Sequence, residues 1–182
     1  MNLANNLSIL RIILIPLFLT SLIYTPVHEG FFCSLSALLF VLACVTDAMD
    51  GYVARRFSQK TQLGSYIDPI ADKLLLVSGF LALSFMGHLP EAMRIPAWVT
   101  VSVITRDVVI LIGALVIFIM SGRLKAEPLL IGKVTTFVQM LTLFSALVMA
   151  PAVLRNALFI ATTVFTAVSG VLYVRMGERM IK

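Results

Sequence analysis

The residues best suited to chemistry are four aspartates that lie within 26 positions of one another, in the stretch DAMDGYVARRFSQKTQLGSYIDPIAD. They are Asp47, Asp50, Asp68 and Asp72, and the segments on either side of them are almost purely apolar. Neighbouring carboxylates raise one another's pKa, and burial in a membrane adds a desolvation penalty. A cation must therefore compensate these four acidic groups.

The first two aspartates share a helix face with two small residues. If the helix continues through Arg56, Asp47, Asp50, Gly51 and Ala54 are spaced i, i+3, i+4 and i+7, which places them on one side. Small residues on such a face allow a ligand to approach the backbone. The pattern therefore predicts a binding face at the end of the second helix.

The other two aspartates form a matching stripe on the next helix. Gly64, Asp68 and Asp72 are spaced i, i+4 and i+8, and two antiparallel helices joined by a short loop would bring both acidic faces together. Pro69 either opens this third helix near Asp68 or kinks it, because proline lacks the backbone N–H.

A divalent metal is the expected cation, because the basic side chains close to the aspartates in sequence are too few. All-oxygen ligands suit Mg²⁺ or Mn²⁺, suit Ca²⁺ less well, and argue against zinc. Two such ions bridged by a phosphate would favour displacement at phosphorus, with Arg55 in reach of a phosphate oxygen and one carboxylate as general base.

Two other functions also place acidic residues in a membrane. One is an ion pathway or proton relay in a transporter, and the other is a structural ion-pair network. The basic loop with Arg55, Arg56 and Lys60 favours an anionic substrate, since a cation pathway would gain nothing from it.

Composition indicates an integral membrane protein. The chain is 60% hydrophobic and 13% charged, with a mean hydropathy of +1.03. We expect one all-α domain over residues 1–182 with six transmembrane helices, the fourth running from about Ile95 to Met120 and interrupted by Arg106 and Asp107. The charge-free stretches behind this count are Ile12–Val27, Gly30–Thr46, Leu74–Pro90, Val108–Gly122, Val134–Leu154 and Asn156–Val174.

Basic residues predict the orientation of the helices. Eight of the basic residues that flank the expected spans lie in the second and fourth connections and the tail, whereas only Arg94 and Arg155 lie on the opposite side. The positive-inside rule then places both termini, and the loop between helices 2 and 3, in the cytoplasm.

The spacing Asp47-x2-Asp50-Gly51-x2-Ala54-Arg55-x8-Gly64-x3-Asp68-x3-Asp72 resembles the signature of the CDP-alcohol phosphotransferase family at all eight fixed positions. The six-helix layout is also similar over nearly the whole chain. The resemblance implies an integral membrane enzyme, commonly a homodimer, that transfers a phosphatidyl group from CDP-diacylglycerol to an alcohol and releases CMP. It also implies a bacterial inner membrane, an active site facing the cytoplasm and no nucleic-acid partner.

The same resemblance assigns roles to the signature residues. Asp47, Asp50, Asp68 and Asp72 would hold two divalent ions, and Asp72 would also deprotonate the acceptor hydroxyl. The cytidine-diphosphate site would be formed by Gly51, Ala54, Arg55 and Gly64.

Two cations outside the signature bear on the acceptor alcohol. Arg106 lies in the middle of helix 4, with Asp107 about 100° away around that helix, and Lys133 lies at the start of helix 5. Both are candidates to bind an acceptor phosphate. Alternatively, Arg106 forms a structural ion pair and Lys133 extends to the membrane interface.

These segments resemble the family branch whose acceptors carry phosphoglycerol. Its glycerol 3-phosphate enzymes usually have Arg-Glu in helix 4, a second arginine about eight residues on, and Gly-Lys-x-Lys-Thr before helix 5. This chain has Ala114, Leu115 and Thr135 where further cations are expected. A phosphodiester carries less charge than a phosphomonoester, so we favour phosphatidylglycerol as acceptor, as in the CMP-forming cardiolipin synthases. Glycerol 3-phosphate is the alternative, and inositol phosphate, serine or choline are less favoured.

Overall fold

The computed structural model describes residues 3–57, 62–121 and 130–181, and the side chains of residues 9–47, 49, 71–116, 119 and 130–176. These residues form six α-helices, one 3-10 turn (Glu91–Met93) and no β-strand. The all-α fold class is thereby confirmed for the described residues. The helices are α1 (Leu3–Ile23), α2 (Glu29–Phe57), α3 (Gln62–Phe85), α4 (Ala97–Ser121), α5 (Leu130–Leu147) and α6 (Ala152–Ile181).

Four segments of the described residues are long and apolar enough to cross a membrane. They are Glu29–Asp47, Glu91–Val116, Leu130–Leu147 and Ala152–Met176, and α1 adds a shorter apolar segment, Ile9–Ile23. In α3 the described side chains begin only at Ala71. The protein is therefore an integral membrane protein by helix length and composition, while the count of six spans and the cytoplasmic termini stay predictions.

The two signature helices have the lengths that the aspartate spacing requires. α2 runs without interruption to Phe57, so Asp47 and Asp50 belong to one helix. α3 begins at Gln62, seven residues before Pro69, which excludes the alternative in which the proline opens this helix.

The chain divides into two compact units, Met1–Arg94 with Leu143–Ala150 and Ile95–Thr142 with Pro151–Lys182. In the first unit α1 packs against both α2 and α3. Fully buried aromatic rings fill this packing, with the ring centroids of Phe18 and Phe40 6.0 Å apart. The prediction of a single domain over residues 1–182 stays a prediction.

In the second unit α4 packs against α6, and buried polar side chains join α5 to α6. The hydroxyls of Thr142 and Thr162 are 2.6 Å apart, and the Gln139 amide lies 3.4 Å from the Thr166 hydroxyl. Such hydrogen bonds are a common means of association between membrane helices, where lipid offers no polar partner. We call Thr135, Gln139, Thr142, Thr162 and Thr166 the α5–α6 polar ladder.

Candidate active site

A buried arginine of α1 joins two of the four signature aspartates. Arg11 is completely buried, and its Nη2 atom lies 3.0 Å from Oδ1 of Asp47 on α2. Its Nη1 atom donates a hydrogen bond to Oδ1 of Asp72 on α3. The packing of α1 against both helices makes this double contact possible, so one guanidinium connects the two acidic helices.

The carboxylates of this centre are more accessible than the arginine. The side chains of Asp47 and Asp72 are 33% and 31% exposed, whereas that of Arg11 is 0% exposed. Arg11 therefore contacts the carboxylates from the protein interior, whereas the side chains of Asp47 and Asp72 are partly exposed.

Arg11 corrects one expectation from the sequence. Basic side chains close to the aspartates in sequence were too few to compensate them, but Arg11 supplies a positive charge from a different helix. The signal available in the sequence was an arginine at position 11 within an apolar segment, since such a residue needs an anionic partner. The sequence did not indicate which acidic residues that partner would be.

The acidic pair fits a hard divalent cation. Asp47 and Asp72 offer only oxygen ligands, and they project from two different helices toward a common point at Arg11. Mg²⁺ and Mn²⁺ prefer such carboxylate oxygens together with substrate phosphate. Asp47 and Asp72 could therefore serve as two of the ligands of such an ion.

The remaining signature residues lie outside the described side chains, although their backbone lies in α2 or α3. Their proposed roles stay predictions. They are Asp50, Gly51, Ala54 and Arg55 on α2, and Gly64 and Asp68 on α3.

A second buried arginine lies in the other unit. Arg106 is 7% exposed, and its Nη1 atom donates to Oδ1 of the adjacent Asp107 at 2.9 Å. Its Nη2 atom donates to the Ser169 hydroxyl of α6 at 2.7 Å, and its guanidinium carbon lies 5.5 Å from the centre of the Tyr173 ring. Asp107 is thus a partner of Arg106 despite its angular offset around the helix.

The backbone of α5 approaches this arginine closely at Gly132. A β-carbon at this position would lie 2.8 Å from the Tyr173 hydroxyl and 3.4 Å from Nη2 of Arg106. The first distance is shorter than real β-carbons show, so a side chain at position 132 would require the Tyr173 hydroxyl to shift. Lys133, the next residue, is exposed.

Sequence reasoning missed the roles of Ser169, Tyr173 and Gly132 around Arg106. Ser169 continues the spacing of the buried α6 residues Thr162 and Thr166, which was a signal for a polar helix face. Neither Tyr173 nor Gly132 had a sequence feature that linked it to α4.

A cleft of about 730 Å³ runs between α4 and α6 beside Arg106. We call it the α4–α6 cleft. Its walls are mainly apolar, and they include Trp98 and Val109 on α4 and Val171 and Arg175 on α6.

Comparison with known proteins identifies a family. The family model described as CDP-alcohol phosphatidyltransferase matches residues 1–168 of the chain. The chain is 35% identical over 183 residues to the probable phosphatidylglycerophosphate synthase of Mycobacterium tuberculosis, covering 99% of this chain and 83% of that protein. It is 32% identical over 187 residues to the CDP-diacylglycerol--glycerol-3-phosphate 3-phosphatidyltransferase of Aquifex aeolicus, covering 100% of this chain and 98% of that protein.

These matches confirm the family that the eight-residue signature indicated, and they identify the chain as a transferase of phospholipid biosynthesis rather than an ion transporter. Enzymes of this family generally use a divalent metal, in agreement with the oxygen ligands of the acidic pair. The chain belongs to the CDP-alcohol phosphatidyltransferase family.

Proposed function

We propose that the protein transfers the phosphatidyl group of CDP-diacylglycerol to glycerol 3-phosphate and releases CMP. The observation that supports this acceptor most directly is the pair of relatives from Mycobacterium tuberculosis and Aquifex aeolicus. Both align with nearly all of this chain and are named for synthesis of phosphatidylglycerophosphate or for transfer to glycerol 3-phosphate.

This acceptor differs from phosphatidylglycerol, which the sequence favoured. That preference rested on the absence of cations at Ala114, Leu115 and Thr135, and it compared single positions of helices 4 and 5 with a pattern. It had no information about α6, which supplies two of the contacts to Arg106. A comparison of single positions on two helices is weaker support for an acceptor than relatives that align with nearly all of the chain.

In the proposed reaction Asp72 acts as the base. The acceptor hydroxyl gives its proton to the Asp72 carboxylate, and its oxygen forms a bond to the phosphorus that carries diacylglycerol. The bond from this phosphorus to the CMP oxygen breaks, and CMP leaves with the bonding electrons. Arg11 contacts the carboxylates of both Asp72 and Asp47 and, in this proposal, holds them in fixed orientations.

The metal ligands in this proposal are Asp47, Asp50, Asp68 and Asp72. Two bound divalent ions, Mg²⁺ or Mn²⁺, would neutralise the charge of the diphosphate. Gly51, Ala54, Arg55 and Gly64 form the proposed cytidine-diphosphate site.

Arg106 and Lys133 are the proposed residues for the acceptor phosphate. Both Nη atoms of Arg106 already donate hydrogen bonds, and these bonds fix the plane of its guanidinium. Lys133 is exposed at the start of α5, where its ammonium group can move toward an anion.

The proposed architecture is one membrane domain over residues 1–182 that crosses the bilayer six times. The termini and the active site face the cytoplasm of a bacterial cell, and the enzyme acts as a homodimer in the cytoplasmic membrane. The excess of basic residues in the loops assigned to the cytoplasm supports this orientation.

Acceptor competition tests the proposed function. Purified protein receives labelled CDP-diacylglycerol, Mg²⁺, glycerol 3-phosphate and phosphatidylglycerol together, and the lipid products are resolved. We expect phosphatidylglycerophosphate, with CMP released in equal amount. Cardiolipin as the main product would establish phosphatidylglycerol as the acceptor, and no CMP with either acceptor would overturn the proposal.

A further inference from the structure

The α4–α6 cleft is large and apolar, and the proposed reaction does not require its full volume. About 730 Å³ lies within the range of about 300–1,000 Å³ typical of small-molecule sites. Glycerol 3-phosphate is a small polar molecule, whereas valine, alanine and glycine make up six of the twelve residues that line the cleft, and most of its exposed lining is apolar. Its shape and lining suit a hydrocarbon chain.

The length of the cleft matches one leaflet of a bilayer. Trp98 and Val109 lie eleven residues apart on α4, which corresponds to about 16 Å along the helix axis. Half of a hydrocarbon core of about 30 Å is about 15 Å. An acyl chain that enters from one membrane surface would therefore reach from one end of the cleft to the other.

One end of the cleft has a positive charge at the level expected for lipid headgroups. Arg175 lines the cleft, is exposed, and lies in the last turn of the candidate span Ala152–Met176. Arg106 also lines the cleft, but its ion pair with Asp107 offsets much of its charge. Arg175 thus provides the cleft with a net positive charge where a phosphate group of a lipid lies.

We propose that the α4–α6 cleft binds an anionic phospholipid of the surrounding membrane. One acyl chain lies along Val109 and Val171 toward Trp98, and the headgroup phosphate contacts Arg175. Arg106, which we propose to bind the acceptor phosphate, lines the same cleft, so the inference rests on glycerol 3-phosphate as the acceptor: if phosphatidylglycerol is the acceptor, the bound lipid is the substrate. A neutral phospholipid fits the apolar walls equally well, so selectivity for the anionic headgroup distinguishes a specific site from general solvation by lipid.

The fluorescence of Trp98 reports whether a lipid occupies the cleft, because Trp98 is the sole tryptophan of the chain and lines the cleft. The full-length protein is placed in phosphatidylcholine nanodiscs that contain a small fraction of lipid with a brominated acyl chain, which quenches tryptophan fluorescence at short range. We expect brominated phosphatidylglycerol to quench Trp98 at least about twofold more than brominated phosphatidylcholine at the same mole fraction.

Two variants separate the headgroup contact from the cleft itself. Arg175→Gln should abolish the difference between the two brominated lipids, whereas Arg155→Gln, which removes an arginine near the other end of α6, should preserve it. Val174→Phe narrows the cleft at an exposed position and should reduce quenching by both lipids. Size-exclusion profiles report whether each variant remains folded.

Equal quenching of the wild-type protein by the two brominated lipids would overturn the proposal. A headgroup preference that survives Arg175→Gln but disappears in Arg155→Gln would also overturn it. CMP release, measured on the same samples, tests the proposed function separately, since a protein without lipid selectivity can still be an active transferase.

Discussion

The two buried arginines of the described membrane helices are compensated in different ways. Arg11 contacts carboxylates on two other helices, whereas Arg106 pairs with the residue that follows it in sequence and with groups on α6. The first arrangement has one cation between two anions, and the second has one cation, one anion and neutral partners.

The difference indicates what each arginine contributes. Arg11 fixes α1, α2 and α3 to one another at the proposed catalytic carboxylates, so its loss would affect both the fold and the chemistry. Arg106 and Asp107 together stay close to neutral even without a ligand, so we expect the loss of Arg106 mainly to affect its proposed role in acceptor recognition. The same chemical change in the two centres should therefore give different results.

Neutralising one carboxylate beside each buried arginine should give the largest difference in activity between the two sites. We expect Asp72→Asn to lower kcat by about 1,000-fold or more, because a general base contributes roughly 10²–10⁴. Asp107→Asn should lower kcat/KM for glycerol 3-phosphate by less than about tenfold. CMP release at saturating CDP-diacylglycerol measures both. If the two variants lose the same amount of activity, Asp72 is not the base. If Asp72→Asn weakens binding of CDP-diacylglycerol to the same degree as it lowers turnover, Asp72 is a metal ligand only.

Removing each arginine should lower the free energy of unfolding by a different amount. Breaking a buried ion pair costs about 3–5 kcal/mol. Because Asp47 and Asp72 are partly exposed, Arg11→Gln should lower the free energy of unfolding by about 3 kcal/mol. Arg106→Gln should cost less in total, because one carboxylate loses its partner instead of two, although the Asp107 side chain is only 12% exposed. Thermal unfolding in a fixed detergent measures both changes.

Mg²⁺ provides the control for this prediction. If the carboxylates that Arg11 contacts also bind metal, added Mg²⁺ should raise the Tm of Arg11→Gln more than that of the wild-type protein or of Arg106→Gln. The same Mg²⁺ response in all three proteins would show that Arg11 and the metal do not share Asp47 and Asp72.

Gly132→Ala should disturb the contacts of Arg106 without affecting those of Arg11 with Asp47 and Asp72. The added β-carbon would lie too close to the Tyr173 hydroxyl, and displacement of this side chain would alter the position of Arg106. Overpacking of this kind costs about 1–3 kcal/mol. We expect the KM for glycerol 3-phosphate to rise about five- to tenfold, with the KM for CDP-diacylglycerol unchanged.

The double variant Gly132→Ala with Tyr173→Phe tests the cause of that effect. Removing the hydroxyl relieves the close contact, so the acceptor KM should return toward that of Tyr173→Phe alone. A double variant as impaired as Gly132→Ala alone would show that the clash is not with the Tyr173 hydroxyl.

Among these interactions, the neutral hydrogen bonds of the α5–α6 polar ladder should contribute least to the free energy of unfolding. A double-mutant cycle with Thr142→Val and Thr162→Val measures the bond between the two hydroxyls. We expect a coupling free energy of about 0.6 kcal/mol, the average found for such bonds in a membrane protein. A coupling as large as that of Arg11 with Asp72 would mean that charge does not explain the contrast between the centres.

Local patterns predicted the elements that bear the site. The apolar stretches indicated all-α membrane architecture, and the spacing of Asp47 and Asp50 required the continuous helix that α2 provides. The eight-residue signature identified the family. These features depend on residues close in sequence, where helix periodicity is sufficient.

Contacts between distant segments could not be predicted in the same way. Arg11 is far from Asp72 in sequence, and no periodicity links α1 to α3. Likewise, nothing in the neighbourhood of Arg106 indicated that Ser169 and Tyr173 would lie beside it. The preference for phosphatidylglycerol as the acceptor likewise came from single positions of two helices, whereas the relatives that align with nearly the whole chain are named for glycerol 3-phosphate or phosphatidylglycerophosphate.

The α5–α6 polar ladder also bears on how the chain is made. α5 has the lowest mean hydropathy of the four candidate spans, 1.5, and Gln139 and Thr142 find partners on α6, which is synthesised after it. Polar residues reduce the tendency of a single helix to leave the translocon for lipid. We therefore expect α5 to enter the bilayer together with α6 as a hairpin, so that a chain truncated between them would be retained at the translocon and degraded.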